Sequence, residues 1–182
     1  KWMGQTHVNY VDEELLWKMK QAGCVSLGFG IESGSRRVLN ELLKYNDIEK
    51  APDIFQYCKK IGIKTVAFYL IGNPDETKEE LDATYRLMRR VDSDLIQVAF
   101  FTPYPGSPAY EKYKDQVDPR GLHHYNEVRY NFSQVDTEYL KKFQKKMYIG
   151  FLLGHFNFLK IGTRTFLDML FNPYIGLSFL SK

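Results

Sequence analysis

The sequence predicts an α/β fold of parallel strands covered by helices, followed by a mainly helical tail. Three short apolar runs, at 24–31, 64–71 and 94–101, alternate strictly with stretches of helical periodicity. Glycine or proline stands at nearly every boundary between them. Beyond Lys114 the alternation stops and a polar, aromatic segment leads into long helical patterns. At 182 residues the chain has room for one compact domain with an appendage. The division falls at 1–115 and 116–182.

Asp12 is placed to cap a helix whose apolar residues Leu15, Leu16, Met19 and Ala22 share a face, and Gly23 ends it. Cys24 to Ile31 then reads as a buried strand. Residues 33–43 form a helix with Val38, Leu39, Leu42 and Leu43 inward. A further helix spans about 47–60, with Ile48, Ala51, Ile54, Phe55 and Cys58 in register. Pro52 lacks a backbone donor, so that helix is bent or starts late. Lys64 to Ile71 is the second strand. Thr77 and Glu80 have capping-box spacing for a helix through Arg90. Asp94 to Phe101 is the third strand, and a short helix follows around Ala109 to Tyr113. In the tail, short extended runs are expected near 124–130, a long helix over 136–158 and another near 163–171. Such alternation gives either an open doubly wound sheet or part of a barrel; three strands are too few to close one.

Apolar residues at 44% and charged residues at 26% are ordinary for a globular protein. A net charge of +3 is too weak to argue for nucleic acid. The two cysteines, Cys24 and Cys58, fall on apolar faces with no CxxC or Cys/His ladder, and read as small buried hydrophobes in a reducing, cytoplasmic setting. The richest apolar stretch, 148–159, is interrupted by Gly150, Gly154, His155 and Asn157 and is shorter than the roughly 20 residues of a membrane span. The start at Lys1 reads as a cut inside a longer protein.

In parallel α/β folds, ligands gather where strands end. The three loops there are Gly30-Ile31-Glu32-Ser33-Gly34-Ser35, Gly72-Asn73-Pro74-Asp75-Glu76-Thr77 and Thr102-Pro103-Tyr104-Pro105-Gly106-Ser107. Each carries polar groups beside a glycine that permits close approach of the backbone. As residues alone, Glu32 is also an ordinary strand-end carboxylate, and Arg36 and Arg37 suit a solvated helix face. Asp75, Glu76 and Thr77 suit a helix N-terminus. Tyr104 packs as readily as it contacts a ligand. His123 and His124 fit a surface pair better than a metal or tetrapyrrole site, and His7 and His155 have no assigned role. The aromatic tail suits a lid over an apolar substrate or plain helix packing.

Taken in order, GFGIESGSRRVL, Lys44, YLIGNPDET and TPYPGSPAYE resemble the radical S-adenosylmethionine (SAM) superfamily. The branch is the one with cobalamin-binding N-terminal domains, which includes the anaerobic oxidative cyclase of magnesium-protoporphyrin monomethyl ester. The resemblance covers about residues 1–113 and implies the C-terminal half of a (β/α) barrel. It implies that Glu32 and Ser33 meet the ribose or amino-acid part of SAM, and that Arg37, or Arg36, reaches its carboxylate. Tyr69, Ile71, Gly72 and Pro74 are then the adenine-receiving strand end. Gln97, Phe101 and Pro103 border adenine or substrate.

The same resemblance implies a [4Fe–4S] cluster held by a CxxxCxxC loop, with reductive cleavage of SAM to a 5′-deoxyadenosyl radical that oxidises, cyclises or methylates a tetrapyrrole or lipid-like substrate. Cobalamin belongs to that expectation. This chain has no such loop; its cluster and first three strands are expected upstream of Lys1, and the fragment is expected to be inactive, with half of the cofactor site. Two other readings stand beside it. One is an RNA-modifying methylthiotransferase, which the helical, near-neutral tail disfavours. The other is a non-catalytic module dimerising through an exposed sheet edge.

Overall fold

The structure, a computed structural model, describes residues 1–45, 47–125 and 127–154. Four strands, not three, form one parallel sheet: β1 (Trp2–Thr6), β2 (Cys24–Glu32), β3 (Lys64–Ile71) and β4 (Leu95–Phe100), in the order β1-β2-β3-β4. β1 escapes a pattern reading because WMGQT lacks a β-branched run and leaves Trp2, Met3 and Gln5 exposed. It is a strand because β2 pairs with it along Met3–Thr6. The expectation that all three earlier strands of a barrel lie upstream is therefore corrected: one of them is here.

Strand order equals chain order, so the sheet has no switch point and the doubly wound alternative is excluded. Right-handed crossovers wound in one direction put every covering helix on the same face, as in a barrel wall. That face carries Leu27, Phe29, Ile31, Ala67, Tyr69, Ile71, Val98 and Phe100, packed with Leu16, Phe55, Cys58, Leu81 and Met88 into one core. By strand alternation and register the opposite face carries Gln5, Gly28, Gly30, Val66, Phe68 and Gln97.

The helices follow their local chemistry. In α1 (Glu13–Gln21), Asp12 Oδ1 accepts from the Leu15 amide at 2.8 Å. Leu16 is buried there, whereas Leu15, expected inward, is 41% exposed. Helix α2 (Arg36–Glu41) is shorter than expected because Ser35, not Ser33, caps it and Leu43 adopts φ 54°. The Lys44 amide donates to the Leu39 carbonyl at 2.8 Å, a Schellman-type closure that turns Leu43 outward. Pro52 starts α3 (Ala51–Ile61) late, behind a 3₁₀ turn at Ile48–Lys50. α4 (Lys78–Arg90) has the complete Thr77/Glu80 capping box. After α5 (Pro108–Tyr113), no strand forms in the described part of 116–136.

The tail helix α6 (Thr137–Gly154) is capped by Asp136, whose Oδ1 accepts from the Tyr139 amide at 2.7 Å. The expected helix near 163–171 lies outside the described residues. What α6 and the preceding loop cover is the free edge of β4. Tyr148 Oη accepts from the Val98 amide at 3.0 Å, and Gln144 Nε2 donates to the Val98 carbonyl at 2.8 Å. The Phe100 amide donates to the His124 carbonyl. Side chains and loop backbone thus satisfy polar groups that a neighbouring strand would otherwise take. Among the described residues neither outer strand, β1 or β4, has a second strand beside it, and at β4 these side-chain and loop groups take its place.

Candidate functional site

Parallel strands in register bring their C-terminal ends to one rim. Glu32 ends β2, Ile71 and Gly72 end β3, and Phe101 to Pro103 follow β4. Thr6 of β1 adds a fourth tip.

Glu32 is the distorted point of this rim. Its φ is 65°, and the Ser33 amide donates to the Ile31 carbonyl at 2.9 Å, closing a three-residue turn of the rare sign. Pairing with β3 slips between Gly30 and Glu32 at the same place. A bulky residue in this conformation is strained, and such strain persists only where surrounding structure holds it. The carboxylate folds back over the open face: a β-carbon on Gly30 would stand 2.8 Å from Glu32 Oε1. Gly28 is equally constrained, since a β-carbon there would lie 2.6 Å from the Phe68 ring. Lys44 Nζ sits 3.4 Å from Glu32 Oε1, delivered by the turn at Leu43.

Ser33 and Arg37 are engaged within the fold. Ser33 is fully buried; its Oγ lies 3.1 Å from Thr84 Oγ1 and accepts from the Ser35 amide. Gly34 passes so close to α4 that a β-carbon would be 2.5 Å from the Ala83 carbonyl oxygen. Arg37 grips Glu80 with two parallel hydrogen bonds of 2.7 Å, and its Nη1 donates to the Pro74 carbonyl at 3.4 Å. The Arg37 guanidinium holds the Glu80 carboxyl down at about 2. These groups sew the loop after β2 onto the start of α4. Arg36 is exposed.

Tyr69 and Ile71 turn their side chains into the helix-facing core, at 1% and 0% exposure. What β3 offers the rim is therefore backbone. Gly72 has φ 75°, and Leu140 crowds it, 3.0 Å from where a β-carbon would stand. Its amide donates to Glu76 Oε2 at 2.7 Å, beside the Asn73 amide at 3.0 Å and Asn73 Nδ2 at 3.2 Å. Glu76, expected as a helix cap, is instead a buried carboxyl tying down the β3 tip. Burial pushes it up to about 7, against the pull of those three donors. Only the fold reveals this, since Asp75, Glu76 and Thr77 look equivalent in sequence.

Pro74 and Phe101 meet on the rim in a cavity of about 510 Å³, lined with Leu42, Leu43, Lys44 and Tyr113. Lys44 therefore links Glu32 to that cavity, a role visible in sequence only as its spacing from α2. Phe101 is clasped edge-on by Tyr113 and Phe132. Gln97 is 6% exposed, and Pro103 is buried too. Tyr104 Oη meets His124 Nδ1 at 2.5 Å, and burial lowers the His124 imidazole below its ordinary value.

Residues 4–88 match the family model of the radical SAM superfamily. This segment, a little under half of the chain, is similar to the radical SAM superfamily. A protein of Pyrococcus horikoshii named as an uncharacterized methyltransferase is 36% identical over 110 residues, covering 60% of this chain and 24% of that protein. The anaerobic magnesium-protoporphyrin IX monomethyl ester cyclase of Cereibacter sphaeroides is 31% identical over 130 residues, covering 70% of this chain and 21% of the cyclase. Among solved structures, coproporphyrinogen III oxidase of Escherichia coli, described as a radical SAM enzyme, superposes with TM-score 0.59 at 15% identity. The match covers 83% of this chain and 31% of the oxidase, and it bears on the fold. The chain spans about a fifth to a quarter of the length of the two curated relatives.

The described residues do not fit the iron–sulfur cluster of that superfamily. Cluster ligands are thiolates, yet Cys24 and Cys58 are 1% and 0% exposed in the helix-facing core. Burial raises both thiols, Cys58 to about 12. Among the described residues no group of three or more His, Cys, Asp or Glu could hold a metal ion. The rim does fit SAM: a carboxylate for an ammonium or two hydroxyls, over glycines whose β-carbons would fill the space beneath it.

Proposed function

We propose that this chain is the C-terminal half of the catalytic barrel of a radical SAM enzyme, holding part of SAM at the tips of β2, β3 and β4. The observation that supports this best is Glu32, a carboxylate kept in a strained backbone and folded over bare glycine on the open face. Bound in the whole enzyme, SAM supplies the carbon radical used to oxidise, cyclise or methylate an organic substrate. The Glu32 carboxylate accepts hydrogen bonds from the ammonium or ribose hydroxyls, with Lys44 paired to it at 3.4 Å. The Gly72 turn offers its backbone and Pro74 its apolar ring to the adenine, and Phe101 and Pro103 exclude water beside it. Arg37 acts by positioning this loop through Glu80. A tetrapyrrole substrate is in line with the name of the cyclase relative; a lipid-like substrate and cobalamin rest on the resemblance of the sequence motifs alone. The cluster belongs to the rest of the protein, and the setting is the reducing cytoplasm.

Anaerobic reconstitution of the whole protein with iron and sulfide, then addition of SAM and dithionite, is expected to release 5′-deoxyadenosine and methionine. Glu32→Gln is expected to raise the KM for SAM about tenfold, the effect of one charge-assisted hydrogen bond. A reconstituted protein that leaves SAM intact sinks the reading; an unchanged KM removes Glu32 from it. The present chain, titrated with SAM, should bind weakly or not at all, and tight binding would contradict a half-site.

A further inference from the structure

Strands that wall a closed (β/α) barrel fill its lumen with bulky, branched side chains. β2 does not follow that rule. Its helix-facing residues Leu27, Phe29 and Ile31 are in the core, while Ser26, Gly28, Gly30 and Glu32 alternate with them toward the open face. Two successive glycines leave the middle of that face bare, with room for something other than protein side chains.

Phe68 occupies part of that room in a particular posture. It stands on β3 as the register partner of Gly30. Yet its Cε2 and Cζ lie 2.6 and 2.9 Å from where a β-carbon on Gly28 would be. The ring therefore lies down across β2 instead of rising from the sheet, and it is only partly buried. Its face is turned to the lumen. Met3, Gln5 and Val66 border it in a depression of about 270 Å³. Glu32 Oε1 covers Gly30, the next open-face position along β2 from Gly28, about 6.6 Å away by strand rise.

On the other side of Phe68, its register partner on β4 is Gln97. Gln97 is 6% exposed. Among the described residues its side-chain amide makes no hydrogen bond. A polar group this buried costs stability unless a partner arrives. The open face thus sets an aromatic ring, laid flat, beside an amide that lacks a partner.

We propose that this face is the substrate platform, where a broad, planar conjugated ring system stacks on Phe68 and hydrogen-bonds through a polar edge group to Gln97. The span decides the class. Gly28 lies on β2 and Gln97 on β4, two strand spacings apart, about 9.6 Å. An occupant that touches both is a fused or macrocyclic ring system, since a single ring is too narrow. Aromatic faces favour offset stacking with another π-system, which a flexible acyl chain lacks. The Gln97 amide offers both donor and acceptor, so it serves a carbonyl, a carboxylate or a ring N–H. Calling this ligand the substrate rests on the reading of the Glu32 rim as a SAM site: a ring stacked on Phe68 stands next to whatever the Glu32 carboxylate holds.

Phe68 and Gln97 both lie in this chain, so the chain itself is the test object and protoporphyrin IX the probe, followed by its absorbance and fluorescence. Saturable binding is expected, with palmitate unable to displace the porphyrin. Phe68→Leu should weaken it about fivefold, the effect of one aromatic pair. Gln97→Leu should also weaken it about fivefold, the effect of one neutral hydrogen bond. Phe68→Tyr keeps a ring over Gly28 and should bind within about twofold of the parent, which separates loss of stacking from loss of fold. Four results would overturn the proposal: no saturable binding, Phe68→Leu binding as tightly as the parent, displacement by palmitate, or self-association of the chain that Phe68→Leu abolishes. Porphyrin binding that depends on Phe68 supports the platform even where the whole protein leaves SAM intact, which faults the SAM reading alone. SAM cleavage by the whole protein with no porphyrin binding faults the platform alone.

Discussion

Replacing Glu76 tests the physical account of the rim most directly. Its carboxyl ionises near 4.5 when solvated and near 7 in the fold, burial being the main cause. Between those values the folded state binds more protons than the unfolded state, so this group's contribution to stability falls as pH rises. It is fully present below about pH 4.5 and lower by about 3 kcal/mol above pH 7, at 1.36 kcal/mol per unit. All three donors, the Gly72 and Asn73 amides and Asn73 Nδ2, go to Oε2, while Oε1 and Asn73 Oδ1 are buried without a partner. In Glu76→Gln an amide oxygen can keep the three hydrogen bonds and the charge disappears. Urea denaturation followed by circular dichroism, at about pH 5 and about pH 8, should show Gln gaining on the parent by about 2.5 kcal/mol across the interval. Glu76→Ala strands the donors and should cost at least about 2 kcal/mol at either pH. If the parent and Glu76→Gln lose stability in parallel with pH, the carboxyl ionises normally and the burial argument fails.

Glu32→Gly should relieve the positive φ and stabilise the fold by about 1 kcal/mol, while SAM turnover by the whole protein drops. A variant less stable than the parent would mean that the turn is not strained. Gly34→Ala drives a methyl to 2.5 Å from the Ala83 carbonyl oxygen and should lower stability by about 3 kcal/mol or more; an unchanged melting temperature would show that the loop yields. Both cysteines should resist a thiol reagent in the folded protein and react fully in urea. Rapid labelling of either would expose a thiol for which the core has no room.

Much of the fold could be read before any coordinates. The three apolar runs that form β2, β3 and β4 are legible because their helix-facing residues are buried in the core, and the Asp12 and Thr77 caps follow from side-chain oxygens at the right offset. The order of the three loops along the chain, and hence their meeting on one rim, follows from strict alternation. β1 was not legible, because its strand character comes from pairing on one side and not from its own residues. Nor was the fate of Leu43, whose apolar side chain suits a helix face while the closure of α2 turns it out.

The site divides along the same line. Sequence by itself determined which residue types reach the rim: Glu32, Gly72, Pro74, Phe101 and Pro103 stand at strand ends wherever the strands point. Only tertiary structure decided their states. It strained Glu32 and brought Lys44 back to it, committed Arg37 to Glu80, turned Tyr69 inward, and buried Glu76 while its neighbour Thr77 capped α4. Periodicity and caps act over a few residues and are written locally. Burial and charge pairing are set by whatever a distant segment places alongside, as Leu140 and Phe132 do at the tip of β3.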